Sequence, residues 1–232
     1  MKRAAAFTVL LSVLLFAACG GEGGEAIGEA TVYRSVQTDM DGKETAYELS
    51  VAPMREGLYK MTWKADGEEA FHGYGLEFGD GLLAVGYAPA TLKHYVGVYR
   101  MGEKGLAGRW TNGHEAGTEL AGEGVEPPEV LPWDLPTDFD FQGTNPDGSP
   151  YSGYLNVAVF GTGPEKGVMI TQHTEVESYQ GRALYTGDAV VVVYQLGLDL
   201  TVQYYERGDD GWSGKWFAEG AMNIGTETMT PQ

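Results

Sequence analysis

The chain has 232 residues, 33 of them acidic and 15 basic, for a formal net charge of −18 at neutral pH. A surface of that sign repels phosphate backbones and anionic headgroups, which argues against nucleic acid as a partner and against membrane attachment through a basic patch. A single cysteine leaves no intramolecular disulfide, so stability has to come from packing, and 35 glycines would weaken helices at many points.

At the N-terminus Lys2 and Arg3 precede an apolar run from Ala4 to Phe16 that is too short to span a bilayer, followed by Ala17-Ala18-Cys19. Basic start, apolar middle, small pair and cysteine together resemble the N-terminus of a bacterial lipoprotein over residues 1–19, with Phe16 where Leu, Val or Ile is commoner. The resemblance implies that residues 1–18 are a removable signal peptide. It also implies that Cys19 receives a diacylglyceryl thioether and then an N-acyl chain such as palmitate. Several acyl chains make a stable anchor to the lipid bilayer, whereas one gives only marginal binding. Gly20, rather than Asp, after the cysteine favours an outer membrane in a Gram-negative envelope. The processed chain would carry 13 basic and 33 acidic residues, a formal charge of −20. Residues 19–29 are glycine-rich, lack apolar periodicity and read as a flexible tether.

The remainder is duplicated. Gly73-Tyr74-Gly75-Leu76-Glu77-Phe78-Gly79-Asp80 matches Gly181-Arg182-Ala183-Leu184-Tyr185-Thr186-Gly187-Asp188, and Gly105-Leu106-Ala107-Gly108-Arg109-Trp110 matches Gly211-Trp212-Ser213-Gly214-Lys215-Trp216. Gly117-Thr118-Glu119 recurs as Gly225-Thr226-Glu227, and the Asp41-Gly42 turn as Asp147-Gly148. These matches define one repeat over residues 30–122 and a second over 138–232. Residues 123–137 form a link whose prolines, Pro127, Pro128, Pro132 and Pro136, favour a stiff extended path in which Leu131 and Trp133 pack.

Within a repeat, short alternating runs are separated by turn dipeptides, the pattern of antiparallel hairpins. Tyr59, Met61 and Trp63 alternate with Lys60, Thr62 and Lys64, and Asp66-Gly67 then supplies a tight turn. Ala189 to Val193 is continuously apolar and predicts a strand covered on both faces. About eight strands per repeat with short connections predict an all-β protein. Its architecture would be two tandem up-and-down meanders, closed as small barrels or strongly curled sheets, with β-sandwiches as the alternative. Gly108-Arg109-Trp110-Thr111-Asn112 is similar to the Gly-x-Trp strand of avidin-like and lipocalin-like barrels, although Trp110 and Trp216 fall on the penultimate strand of each repeat. That similarity transfers no ligand-binding residue. Gly108 and Gly214 serve equally well to admit a bulky neighbour, with the tryptophans as core anchors.

Catalytic motifs are sparse. There is no nucleophile elbow or phosphate-cradling loop, no cofactor is implied, and His72, His94, His114 and His173 do not have metal-ligand spacing. Glu68-Glu69 and Asp209-Asp210 border turn glycines, and Asp39 to Gly42 and Asn145 to Gly148 resemble pieces of a calcium loop without its closing glutamate, which marks them as turns. Glu119 and Glu227 stand out because they recur. If buried, each needs a cation or hydrogen-bond donors, and Arg109 and Lys215 are the expected ion-pair partners. With Trp110 and Trp216 they are the candidate ligand-binding residues. The expectation is a non-enzymatic binding or scaffold lipoprotein, engaging a small apolar molecule, a glycan or a protein. A hydrolase using Asp138 and Asp140, which share a strand face, is the alternative.

Overall fold

The computed structural model describes residues 26–232, apart from 40, 56, 80, 89–93, 103–104, 122–136, 161–166, 176, 187–188, 196–200 and 219–223. Cys19, Leu131 and Trp133 lie outside the described residues. Sixteen strands run in chain order and no helix occurs among the described residues. The first repeat supplies β1 (Thr31–Thr38), β2 (Glu44–Arg55), β3 (Leu58–Ala65) and β4 (Glu68–Phe78). It continues with β5 (Leu82–Ala88), β6 (His94–Gly102), β7 (Gly105–Thr111) and β8 (Ala116–Ala121). The second supplies β9 (Thr137–Thr144), β10 (Pro150–Phe160), β11 (Gly167–Thr174) and β12 (Ser178–Tyr185). Its remaining strands are β13 (Ala189–Gln195), β14 (Thr201–Gly208), β15 (Gly211–Ala218) and β16 (Gly225–Pro231). The expected tight turn at Asp66-Gly67 has φ of 52° and 86°, the left-handed pair that joins twisted strands directly.

These strands close into two antiparallel eight-stranded barrels, as the periodicity predicts, but barrels and repeats are different units. The first barrel runs β1-β16-β15-β14-β5-β4-β3-β2 and the second β10-β11-β12-β13-β6-β7-β8-β9. Each repeat therefore gives five strands to one barrel and its last three to the other. Where a plain meander would pair β5 with β6, β5 pairs with β14, and β13 pairs with β6. Because β6 and β14 are equivalent strands of the two copies, the exchange preserves each barrel's ladder. The proline-rich link then joins β8 to β9, neighbours in the second barrel, and the connections between barrels are residues 89–93 and 196–200.

Alternation along the strands produces three apolar cores. Leu49, Met61, Trp63, Leu83, Val85, Tyr205 and Met229 fill the first barrel, and Tyr99, Phe141, Leu155, Ile170, Ala183, Val190 and Val192 are among those filling the second. The opposite faces of the same strands build a third core between the barrels: Leu82 and Ala84 of β5, Val96 and Val98 of β6, Val191 and Val193 of β13, Val202 and Tyr204 of β14. This explains the continuous apolar run of β13. Val190 and Val192 face the interior of a barrel while Val191 and Val193 face its neighbour.

Equivalent ends of the barrels lie side by side. At one end His94 Nε2 lies 3.0 Å from the Gly86 carbonyl oxygen and its ring 5.1 Å from that of Tyr74; at the other, the Arg100 guanidinium lies 5.3 Å from the Phe78 ring. The chain enters β1 at the second of these ends, where the Ile27 amide donates to the Pro53 carbonyl at 2.8 Å.

An exchanged architecture predicts that residues 26–122 and 123–232, produced as separate chains, co-purify as an equimolar pair eluting with the intact protein's mass. Halves that elute as independent closed monomers would show that the exchange is dispensable.

Candidate functional site

Each barrel encloses one glutamate, and the Gly-Thr-Glu motif explains how. In β8 and β16 the glycine and the glutamate share the inward face. Trp110 lies opposite Gly117 and Trp216 opposite Gly225, while Gly108 lies opposite Glu119 and Gly214 opposite Glu227. A Cβ on Gly117 would come within 2.5 Å of the Trp110 indole, and one on Gly225 within 2.2 Å of Trp216, so these glycines exist to let the tryptophans lie over them. Gly108 likewise makes room for Tyr99, whose ring a Cβ there would meet at 2.5 Å.

Burial of the acids is nearly complete, with Glu119 at 4 % and Glu227 at 1 % exposure. Their partners correct the expected ion pairs. Arg109 and Lys215 stand opposite Thr118 and Thr226, on the outer faces of β7 and β15, pointing away from the carboxylates. Neutral donors do the work instead. Glu119 Oε1 accepts from the Tyr99 hydroxyl at 2.9 Å, and Oε2 accepts from the Tyr151 hydroxyl at 2.8 Å and from Gln172 Nε2 at 3.0 Å. Glu227 Oε1 accepts from Trp63 Nε1 at 3.0 Å and from Ser35 Oγ, and Oε2 accepts from Gln37 Nε2 at 2.9 Å and from Gln203 Nε2. A charge in a water-poor interior is tolerable only when its lone pairs are occupied in this way.

The two sites are built alike and finished differently. In the first barrel Gln37, directly across from Glu227, donates to it. The second barrel has Gly143 in that place, where a Cβ would collide with the Tyr151 ring at 2.0 Å, and Tyr151 passes over the glycine to reach Glu119. Above Glu227 the rings of Trp63, Phe71 and Tyr87 pack together, with Phe71 and Tyr87 stacked at 4.5 Å and 18°. Above Glu119 the rings stand on edge: Tyr179 to Tyr95 at 5.4 Å and 67°, Tyr95 to Trp110 at 5.9 Å and 66°, Trp110 to Tyr151 at 6.5 Å and 74°. All four are half-buried and ring this end of the barrel, and Tyr95, Tyr151 and Tyr179 pack against the core below them. Beneath them Leu155, Ile170, Ala183 and Val190 make an apolar floor.

Loss of solvent holds the Glu119 carboxyl above the ordinary glutamate range, opposed by the hydrogen bonds from Tyr151, Tyr99 and Gln172. The same burial, reinforced by the Glu119 charge, pushes the hydroxyls of Tyr99 and Tyr151 far up, so both remain protonated donors.

The other sequence candidates lie elsewhere. Asp138 and Asp140 do share a face of β9, but it is the exposed outer face, where Asn156 Nδ2 donates to Asp138 at 2.7 Å. The Asp39 and Asp147 side chains accept from backbone amides within their own turns, as turn-forming acids do. His72 pairs with Glu69 at 2.7 Å, His94 is buried between the barrels, and His173 stacks on Tyr154 at 4.4 Å. Among the described residues no three potential metal ligands come together. The donors Tyr99, Tyr151 and Gln172 were not legible as a site from motif matching. The recurrence of Tyr99 as Tyr205, at the offset linking the Trp110 and Trp216 strands, is the signal that marks one of them.

Fold and site define a class of protein: a duplicated, strand-exchanged double β-barrel with one hydrogen-bonded glutamate in each interior. The chain matches no protein-family model, and neither a curated protein nor a solved structure is significantly similar to it.

Glu119→Leu, which strands three donors, is expected to cost about 2–4 kcal/mol in denaturant unfolding. Glu119→Gln should behave oppositely. A raised folded-state pKa means that the stability contributed by Glu119 is fully present below its unfolded value, near 4.5, and is lost as pH rises through the folded value. The Gln variant should therefore gain on wild type as pH rises above about 4.5 and converge with it in acid.

Proposed function

We propose that the protein is an envelope lipoprotein, held in the bilayer by acylated Cys19, that binds a small molecule non-enzymatically at the mouth of the second barrel. The observation that carries this reading is the placement of the mouth relative to the chain's entry. Tyr95, Trp110, Tyr151 and Tyr179 ring one end of the second barrel, and equivalent ends of the two barrels are adjacent. Ile27 and β1 enter at the opposite end, against Pro53. From Cys19 to Ile27 the tether reaches at most about 29 Å, so the entry end stays within that distance of the lipid and the aromatic mouth is at the end remote from the attachment point. Half-buried aromatics converging on a few buried polar groups are the usual lining of small-molecule sites. Gly20 favours the outer membrane as the location, and the acidic surface fits attachment by acyl chains rather than by headgroup contacts.

Cys19→Ser is expected to abolish labelled palmitate incorporation and to move the protein from the detergent phase to the aqueous phase on temperature-induced phase separation. Retention of the variant in the detergent phase would remove the anchor from this reading.

A further inference from the structure

The mouth of the second barrel has a chemistry that narrows its ligand. Successive rings in the order Tyr179, Tyr95, Trp110, Tyr151 meet at 66–74°, so the rim is a box-like run of steeply angled rings rather than a flat stack. Two carboxylates bracket this box. Glu119 lies below, reached by Tyr151 from the box wall, and Glu177 lies at the exposed rim, accepting from the Tyr179 hydroxyl. Every described partner of Glu119 is neutral, leaving its charge without a counter-ion. Two polar groups in the same interior make no well-formed hydrogen bond among the described residues: Trp110 Nε1, beside Tyr151, and the Tyr194 hydroxyl, on a residue 3 % exposed and beside Tyr99. Tyr194 faces inward directly across from Tyr95, so this hydroxyl belongs to the lining beneath the mouth.

The first barrel differs in its rings and in the number of donors: Phe71 and Tyr87 stack, and Glu227 takes four donors, although Gln203 Oε1 and the Tyr205 hydroxyl are likewise unpaired among the described residues.

We infer that the aromatic box of the second barrel takes a small organic cation, an alkylated ammonium whose charge rests on the faces of Tyr95, Trp110, Tyr151 and Tyr179 between Glu119 and Glu177. The inference rests on the binding reading above and specifies its ligand class. A neutral apolar molecule would gain the ring contacts and leave both carboxylates hydrogen-bonded but without a counter-ion. A cation gains the ring quadrupoles, strongest for tryptophan, together with the field of a desolvated carboxylate. The acidic character of the whole chain adds long-range attraction of the same sign.

The test uses the full-length chain in non-ionic detergent, titrated with choline and with 3,3-dimethylbutan-1-ol, its uncharged isostere, while tryptophan fluorescence is followed. Choline should give a saturable change that is lost in Trp110→Phe. The isostere should bind at least about tenfold more weakly, and Glu119→Gln should weaken choline by a similar factor. Glu177→Gln, at an exposed position where folding is not at stake, should weaken choline several-fold and leave the isostere unchanged. Equal binding of choline and its isostere through Trp110 would overturn the cation assignment and leave the mouth as a binding site for neutral molecules. No Trp110-dependent response to either compound at millimolar concentration would overturn the mouth reading itself.

Discussion

A strand at the edge of a sheet exposes a row of unpaired N–H and C=O groups, and closing those edges governs the whole molecule. Five consecutive strands of one repeat, β1 to β5, leave two open edges that β14, β15 and β16 of the other repeat close. The reciprocal closure uses β6, β7 and β8. Closure by exchange also places β5, β14, β6 and β13 back to back, so the strands that seal the barrels bury their outer faces against one another in a single core of leucine, valine and alanine. Fold and interface are consequences of the same pairing.

The enclosed glutamates follow from that scaffold. Inside a narrow barrel, small residues on one strand determine how far large residues on the next can reach, and the two interiors solve the problem with different side chains around a common acid. Trp63 and Gln172 occupy equivalent positions beside Leu49 and Leu155, and both donate to the carboxylate. Ser35 with Tyr47 in one barrel corresponds to Phe141 with Gly153 in the other, a large residue and a small one trading strands across the same pair. The polar groups are redistributed among the strands while the acid keeps its place, and the second barrel is left with the smaller set of side chains at these positions.

Much of this was legible in the residues. Alternation over Tyr59 to Lys64, the Asp66-Gly67 turn and the apolar run at Ala189 to Val193 specify strands, a tight hairpin and a doubly covered strand, and each is present. The recurrence of Glu119 and Glu227 marked the interior acids. Their partners were less accessible, because Arg109 and Lys215 are adjacent in the pairing register but alternate to the wrong face, and Tyr99, Tyr151 and Gln172 are brought in from three other strands. The exchange was illegible in principle from repeat matching. Strands β6 and β14 resemble each other, so either could complete either ladder, and local pattern carries no label for which barrel a strand joins.

Interleaving has an evolutionary corollary. Side-by-side domains can be lost, duplicated or shuffled one at a time, but here deletion of either half would open both barrels. The duplication has become a ratchet: once the copies came to depend on each other's terminal strands, their interiors were free to diverge while their number was fixed at two.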